Sequence, residues 1–174
     1  MSSDLRYPVG SFTPIAETPG ATETALRDIE TLPVRLRAAV EGLNDRQLDT
    51  AYRPGGWTVR QVVHHIADSH MNGFIRTKLA LTESNPTIKP YDEAAWARLP
   101  DAGLPIEISL PIIDGIHTRW VLVLRSLTPD QQQRTFVHPE HGQTMTIAYQ
   151  VQNYGWHGRH HVGHITALRQ RQGW

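Results

Sequence analysis

Pro54-Gly55-Gly56-Trp57-Thr58-Val59-Arg60-Gln61-Val62-Val63-His64-His65-Ile66-Ala67-Asp68-Ser69-His70-Met71-Asn72-Gly73-Phe74 is the stretch whose reading decides the fold. Its first three residues interrupt any preceding element, because proline blocks a helix interior and glycine carries a large entropic cost there. Thr58 with Gln61 three residues on is a capping box, and Trp57 can staple onto Val62. Beyond the cap, Val59, Val62, Val63, Ile66, His70 and Phe74 recur at helical spacing. The stretch predicts a long amphipathic helix that runs to about Glu83.

Outward from that helix, the pattern repeats. Upstream, residues 21–43 read as a helical stretch that Pro33 should kink or split. Asn44 and Gln47 suggest a short capped turn. The first 20 residues, with Pro8, Pro14 and Pro19, read as an extended arm. Downstream, residues 84–108 carry Pro86, Pro90, Pro100 and Pro105. That is too long for a tight turn and predicts a crossover, with a short helix at Asp92–Arg98. A third helix is expected over Leu110–Leu127, a turn capped by Thr128 and Pro129, and a loop or small hairpin over 135–145. A last helix is expected over Thr146–Gln170. No run shows sustained period-2 alternation. The expected architecture is all-α: a four-helix bundle over residues 21–174, preceded by the arm at 1–20, with a long crossover between its second and third helices.

Composition narrows the chemistry. The chain has 174 residues, 17 Lys+Arg against 17 Asp+Glu, 10 His and no Cys. Balanced charge argues against a broad electrostatic grip on nucleic acid or on an acidic membrane. No window approaches the roughly 18 uncharged apolar residues of a membrane span, and the N-terminus lacks the pattern of a signal peptide. The expected location is the cytoplasm. Without Cys, any metal must be held by imidazole and carboxylate, and any nucleophilic thiol must come from outside the protein.

Seven of the ten His fall in two short windows, residues 64–70 and 157–164. Residues i and i+4 are neighbours on one helix face. His157 and His161 have that spacing, and so do His160 and His164. With His161 at zero and about 100° per residue, the apolar stripe of Ile147, Val151, Tyr154, Ile165 and Leu168 centres near +30°. His161 lies close to its middle and His157 about 70° away, whereas His164 and His160 lie about 90° and 130° away. His157 and His161 are therefore expected inside the bundle, His160 towards solvent and His164 at the edge. In the first window periodicity selects His70 as the buried residue. His65 falls on a second stripe with Gln61, Asp68, Ser69, Asn72 and Arg76, either a solvated face or the wall of a polar cavity. His117, His138 and His141 read as ordinary surface or core-edge residues. The pattern lacks the glutamate of His-Glu-x-x-His, which brings its own base.

The segment Arg53–Asn72 resembles the YfiT-type branch of the DinB-like superfamily, as do Lys78–Glu83, Ile88–Glu93 with Trp96, and Trp156–Ile165. His117–Trp120 and His138–Glu140 fit as well. The resemblance covers nearly the whole chain. It implies a bundle of the expected kind, a homodimer, and a metal-dependent hydrolase holding one divalent ion per subunit, zinc or nickel. It implies the ligands His65, His157 and His161. The last two agree with the helical angles, while His65 rests on the resemblance alone. Gly158-Arg159 departs from relatives that carry Ser-His there, which touches the surroundings of the site and not its ligands.

Three neutral imidazoles leave positions open for water or substrate, the mark of a catalytic rather than a structural site. Asp68 is a candidate acceptor or proton relay for His65, or simply a solvated carboxylate. Asn72 and Arg76 are candidates to hold an anionic small-molecule substrate. Tyr154, one turn before His157, is a candidate hydrogen-bond donor to a reacting oxygen, or a plain core aromatic. Relatives also imply an alternative, transfer of a low-molecular-weight thiol such as bacillithiol to an electrophile. A non-enzymatic, metal-stabilised helical module and a purely structural role for the His complete the set.

Overall fold

The computed structural model describes residues 4–16, 19–140 and 142–174. Four long helices dominate it: α1 (Pro19–Val40), α3 (Val59–Thr82), α5 (Ser109–Arg125) and α7 (Ile147–Gln172). Three one-turn α-helices, α2 (Asp45–Leu48), α4 (Glu93–Trp96) and α6 (Pro129–Gln132), and two short 3-10 turns at Pro100–Gly103 and Ile106–Ile108 punctuate the connections. The segment left open as loop or hairpin is a hairpin, β1 (Thr135–His138) and β2 (Gln143–Thr146), in antiparallel register from Thr135↔Thr146 to His138↔Gln143.

The caps form where the sequence places them. Thr58 and Gln61 exchange reciprocal bonds at the start of α3, and Asn44 with Gln47 and Thr128 with Gln131 do so at α2 and α6. Each pair satisfies donors that a helix start otherwise leaves open. One expectation is corrected. Pro33 neither splits nor interrupts α1, which runs through it unbroken. Ile29, Leu32 and Leu36 around it are at most 2% exposed, and packing of that face outweighs the local cost of proline.

Contacts between named residues set the topology. Along α1 and α7, Ala25 meets Gly155, Leu32 meets Gly158, and Arg169 bonds the carbonyl of Ala39, so the two helices run parallel. Along α3 and α5, His64 meets Ser109, His70 meets His117 and Thr77 meets Trp120, again parallel. Between α3 and α7, Thr77 meets Gln150 while His65 meets His157, so these run antiparallel. A parallel α3–α5 pair cannot be joined by a tight turn, which is why residues 83–108 form a long crossover.

The interior has two apolar clusters. One is built around Leu36, Val62, Ile66, Ile113 and Ile165, the other around Ile29, Phe74, Trp120, Phe136, Ile147 and Val151. Between them, at mid-height on α3, α5 and α7, lies a layer of histidines. The described part of the arm lies along the outer face of α7. Gln152 bonds both the N–H and the carbonyl of Ile15, and Trp156 donates to the carbonyl of Gly10. No described helix is long and apolar enough to cross a membrane.

Candidate metal centre

His65 comes from α3, about two turns beyond the Thr58 cap. His157 and His161 come from consecutive turns of α7. The antiparallel packing of α3 on α7 brings the three rings together. His157 Nε2 lies 3.2 Å from His65 Nε2 and 3.1 Å from His161 Nε2. All three nitrogens lie within 4.8 Å of one another. Nitrogens about 2.0–2.1 Å from a tetrahedrally coordinated ion stand about 3.3 Å apart, close to the separations found here.

Burial keeps these rings neutral. It pushes His65 down to about 4 and holds His157 and His161 well below the ordinary imidazole value, with neighbouring histidines adding repulsion. A neutral ring offers a lone pair, the form that ligates a metal. Trp57 covers one side, its ring centroid 4.6 Å from that of His65 and nearly parallel to His161. The donor set therefore fits a divalent, nitrogen-preferring ion with open positions.

His157 also lines a polar cavity of about 160 Å³, together with Ser69, Arg76, Glu93, His138 and Tyr154. Glu93 and His65 share a second, much smaller recess with Asp68 and Tyr91. The second stripe on α3 is thus largely cavity wall, and packing of the crossover makes it so.

The other sequence candidates sit as follows. Asp68 shares the His65 recess, and burial with Asp101 nearby raises its pKa. Arg76 reaches the main cavity, where its Nη2 donates to the carbonyl of Lys89 at 3.4 Å and its buried Nε has no hydrogen-bond partner among the described residues. Asn72 spends its amide on the carbonyl of Asp68 in its own helix. Tyr154 lines the cavity with its hydroxyl donating to the carbonyl of Ser69 at 3.0 Å.

Several histidines stand elsewhere than expected. His117 is 2% exposed and part of the central layer, not a surface or core-edge residue. His138 is buried in the hairpin and faces the cavity. His141 lies outside the described residues. His164 is fully interior rather than at the edge, because the loop before α3 stacks Tyr52 on it at 3.8 Å. His160 is half-buried instead of solvated, stacked on Trp156 and approached by Tyr7 of the arm. His64, next to a candidate ligand, bonds Ser109 and the carbonyl of Leu104, and so anchors the crossover.

Sequence reading missed Glu93 and the partners of His157. Glu93 sits in the first turn of α4, and burial raises its carboxyl pKa against the opposing pull of Arg76. A lone Glu in a Pro-rich connection carries no periodic signal, and only the fold of the crossover brings it into the recesses that His157 and His65 line.

Comparison with known proteins agrees with this geometry. The family model described as the DinB superfamily matches residues 28–165. A Bacillus cereus (strain B4264) protein named "Putative metal-dependent hydrolase" is 55% identical over 175 residues, covering 99% of both chains. A Bacillus mycoides protein of the same name is 54% identical over 172 residues, covering 98% of this chain and 99% of its own. Among solved structures, YfiT from Bacillus subtilis, described as "a probable metal-dependent hydrolase with an unusual four-helix bundle topology", superposes with a TM-score of 0.94 at 46% identity, covering 98% of each chain. With the family model spanning most of the bundle and relatives above half identity from end to end, this chain belongs to the DinB superfamily.

Proposed function

We propose that the protein is a metal-dependent hydrolase acting on a small molecule that enters the cavity beside His157. The observation that carries this reading is the convergence of three neutral imidazole nitrogens next to a polar cavity. The hydrolase names of its relatives support it. Zinc or nickel suits an all-imidazole donor set. A divalent ion held there would supply Lewis-acid polarisation and would lower the pKa of a water in the site to roughly 7.

The chain's own residues do the rest. His65, His157 and His161 would hold the ion, and His157 also borders the cavity. Glu93, whose carboxyl holds its proton more tightly than a solvated glutamate, is placed to exchange a proton with a reacting group in the cavity. The buried, unpartnered Nε of Arg76 suits an anionic group on the substrate. Trp57 packs its apolar ring on those of His65 and His161.

A paired assay on untagged, zinc-loaded protein tests the reading. One arm offers activated esters and amides. The other offers a low-molecular-weight thiol with a chlorobimane electrophile. Hydrolysis without thiol that disappears in His161→Ala supports the proposal. Product only in the thiol arm replaces it with thiol transfer. Metal uptake below about a tenth of an equivalent after reconstitution rejects both.

A further inference from the structure

The ring of His157 is held by a chain of hydrogen bonds that begins at a proline on another helix. In an α-helix the carbonyl of residue 29 accepts from the N–H of residue 33. Residue 33 is proline and has no N–H, yet α1 continues through it. The Ile29 carbonyl is thereby released from its helical partner. His117 Nδ1, on α5, lies 2.6 Å from that oxygen.

The direction of every following bond is then forced. A carbonyl only accepts, so His117 Nδ1 carries a proton. His117 is neutral in its buried setting, so its Nε2 can only accept. That nitrogen lies 3.0 Å from His70 Nδ1, on α3, which must donate. His70 is fully buried with only ring nitrogens bonded to it, and a buried ring without a counter-charge carries one proton, so its own Nε2 accepts, 3.1 Å from His157 Nδ1 on α7. His157 therefore carries its proton on Nδ1 and presents a bare Nε2 to His65 and His161.

We propose that Pro33, Ile29, His117 and His70 form a positioning relay that fixes the tautomer and orientation of His157 before any metal arrives. The relay passes through all four long helices, and the proline that looks like a defect in α1 supplies its terminal acceptor. Ligating histidines commonly need such a partner on the second nitrogen, and its loss typically costs 10–100-fold in metal affinity. The effect on affinity rests on the metal-centre reading above. The tautomers do not, since they belong to the metal-free protein.

The test has two parts. Nitrogen-15 correlation spectra of the metal-free protein at neutral pH should place the ring protons of His117, His70 and His157 on Nδ1. Zinc affinity, measured by competition with a chromophoric chelator, should fall about 10–100-fold in His117→Phe, which keeps a ring but has neither donor nor acceptor. Pro33→Ala restores an N–H that competes for the Ile29 carbonyl. It should melt no lower than the parent and yet bind zinc several-fold more weakly, opposite signs that a merely structural role would not produce. If His117→Phe does not fold, Pro33→Ala and the spectra still decide. A ring proton on Nε2 of His70 or His157 in the parent overturns the relay, as does parent-like zinc affinity in both variants. Three Nδ1 protons in a parent that takes up no zinc would keep the tautomer chain and reject the metal function.

Discussion

Helix α7 carries two histidine pairs of identical spacing, and among the described residues only one of them is joined by a third imidazole nitrogen. His157 and His161 bring their Nε2 atoms to 3.1 Å, and His160 and His164 bring theirs to 3.0 Å. The inner pair meets a third nitrogen, His65 of α3, and His157 is backed by His70. Among the described residues the outer pair gains no third ligating atom: Tyr52 and the arm at Leu5 cover His164, and Trp156 and Tyr7 cover His160. Two imidazoles one turn apart are a chelating element. What makes a centre is the third donor, and what faces the pair across the helix interface decides whether there is one.

Replacing either inner histidine should break the comparison most severely. His157→Ala or His161→Ala should weaken zinc binding by on the order of 100-fold or more, read by chelator competition. His65→Ala tests the role of the third donor directly, and should leave the inner pair no better a chelate than the outer one. Tight zinc binding in that variant would show that the two α7 histidines suffice.

Acidity probes what the outer pair shares with the histidine layer behind the inner one, burial in the neutral form. His117 and His164 are pushed down to about 4 and about 3 from an ordinary value of 6.5. Between those values the unfolded chain binds the protons and the folded chain does not, so stability is complete above about pH 6.5 and is lost as pH falls towards 4. Melting temperatures of the metal-free protein should fall steadily over that interval, and less steeply in His117→Phe. A flat profile would show that these rings are already protonated in the folded state.

The outer pair should matter only for stability. His164→Ala removes a buried ring from under Tyr52 and should cost about 1–3 kcal/mol in denaturant unfolding while leaving zinc affinity within about threefold. His160→Ala, half-buried, should be the mildest, within about 1 kcal/mol and with parent-like zinc binding.

Much of this was legible in the chain. Capping boxes and 3.6-residue periodicity located α3, α5 and α7 to within a few residues, because they are local devices that act over one or two turns. Helical angles put His157 and His161 on the inner face, since that face is written in the neighbouring apolar residues. The same method misplaced His164, because its burial comes from Tyr52 on a loop distant in sequence. It also expected Pro33 to kink or split the helix, and the split does not occur, because a propensity counts the bond lost within α1 and cannot see the packing of Ile29, Leu32 and Leu36 around it.

By itself, then, the sequence determined the helices, their inward faces and an i,i+4 pair of candidate ligands, all consequences of short-range geometry along one chain segment. The tertiary structure alone decided that His65 faces that pair, that Glu93 overhangs the cavity, and that His117 reaches the carbonyl released by Pro33. Each of those depends on which helices run side by side and in which direction. Contacts between segments about 40 to 95 residues apart leave no period in a single sequence from which they could be read.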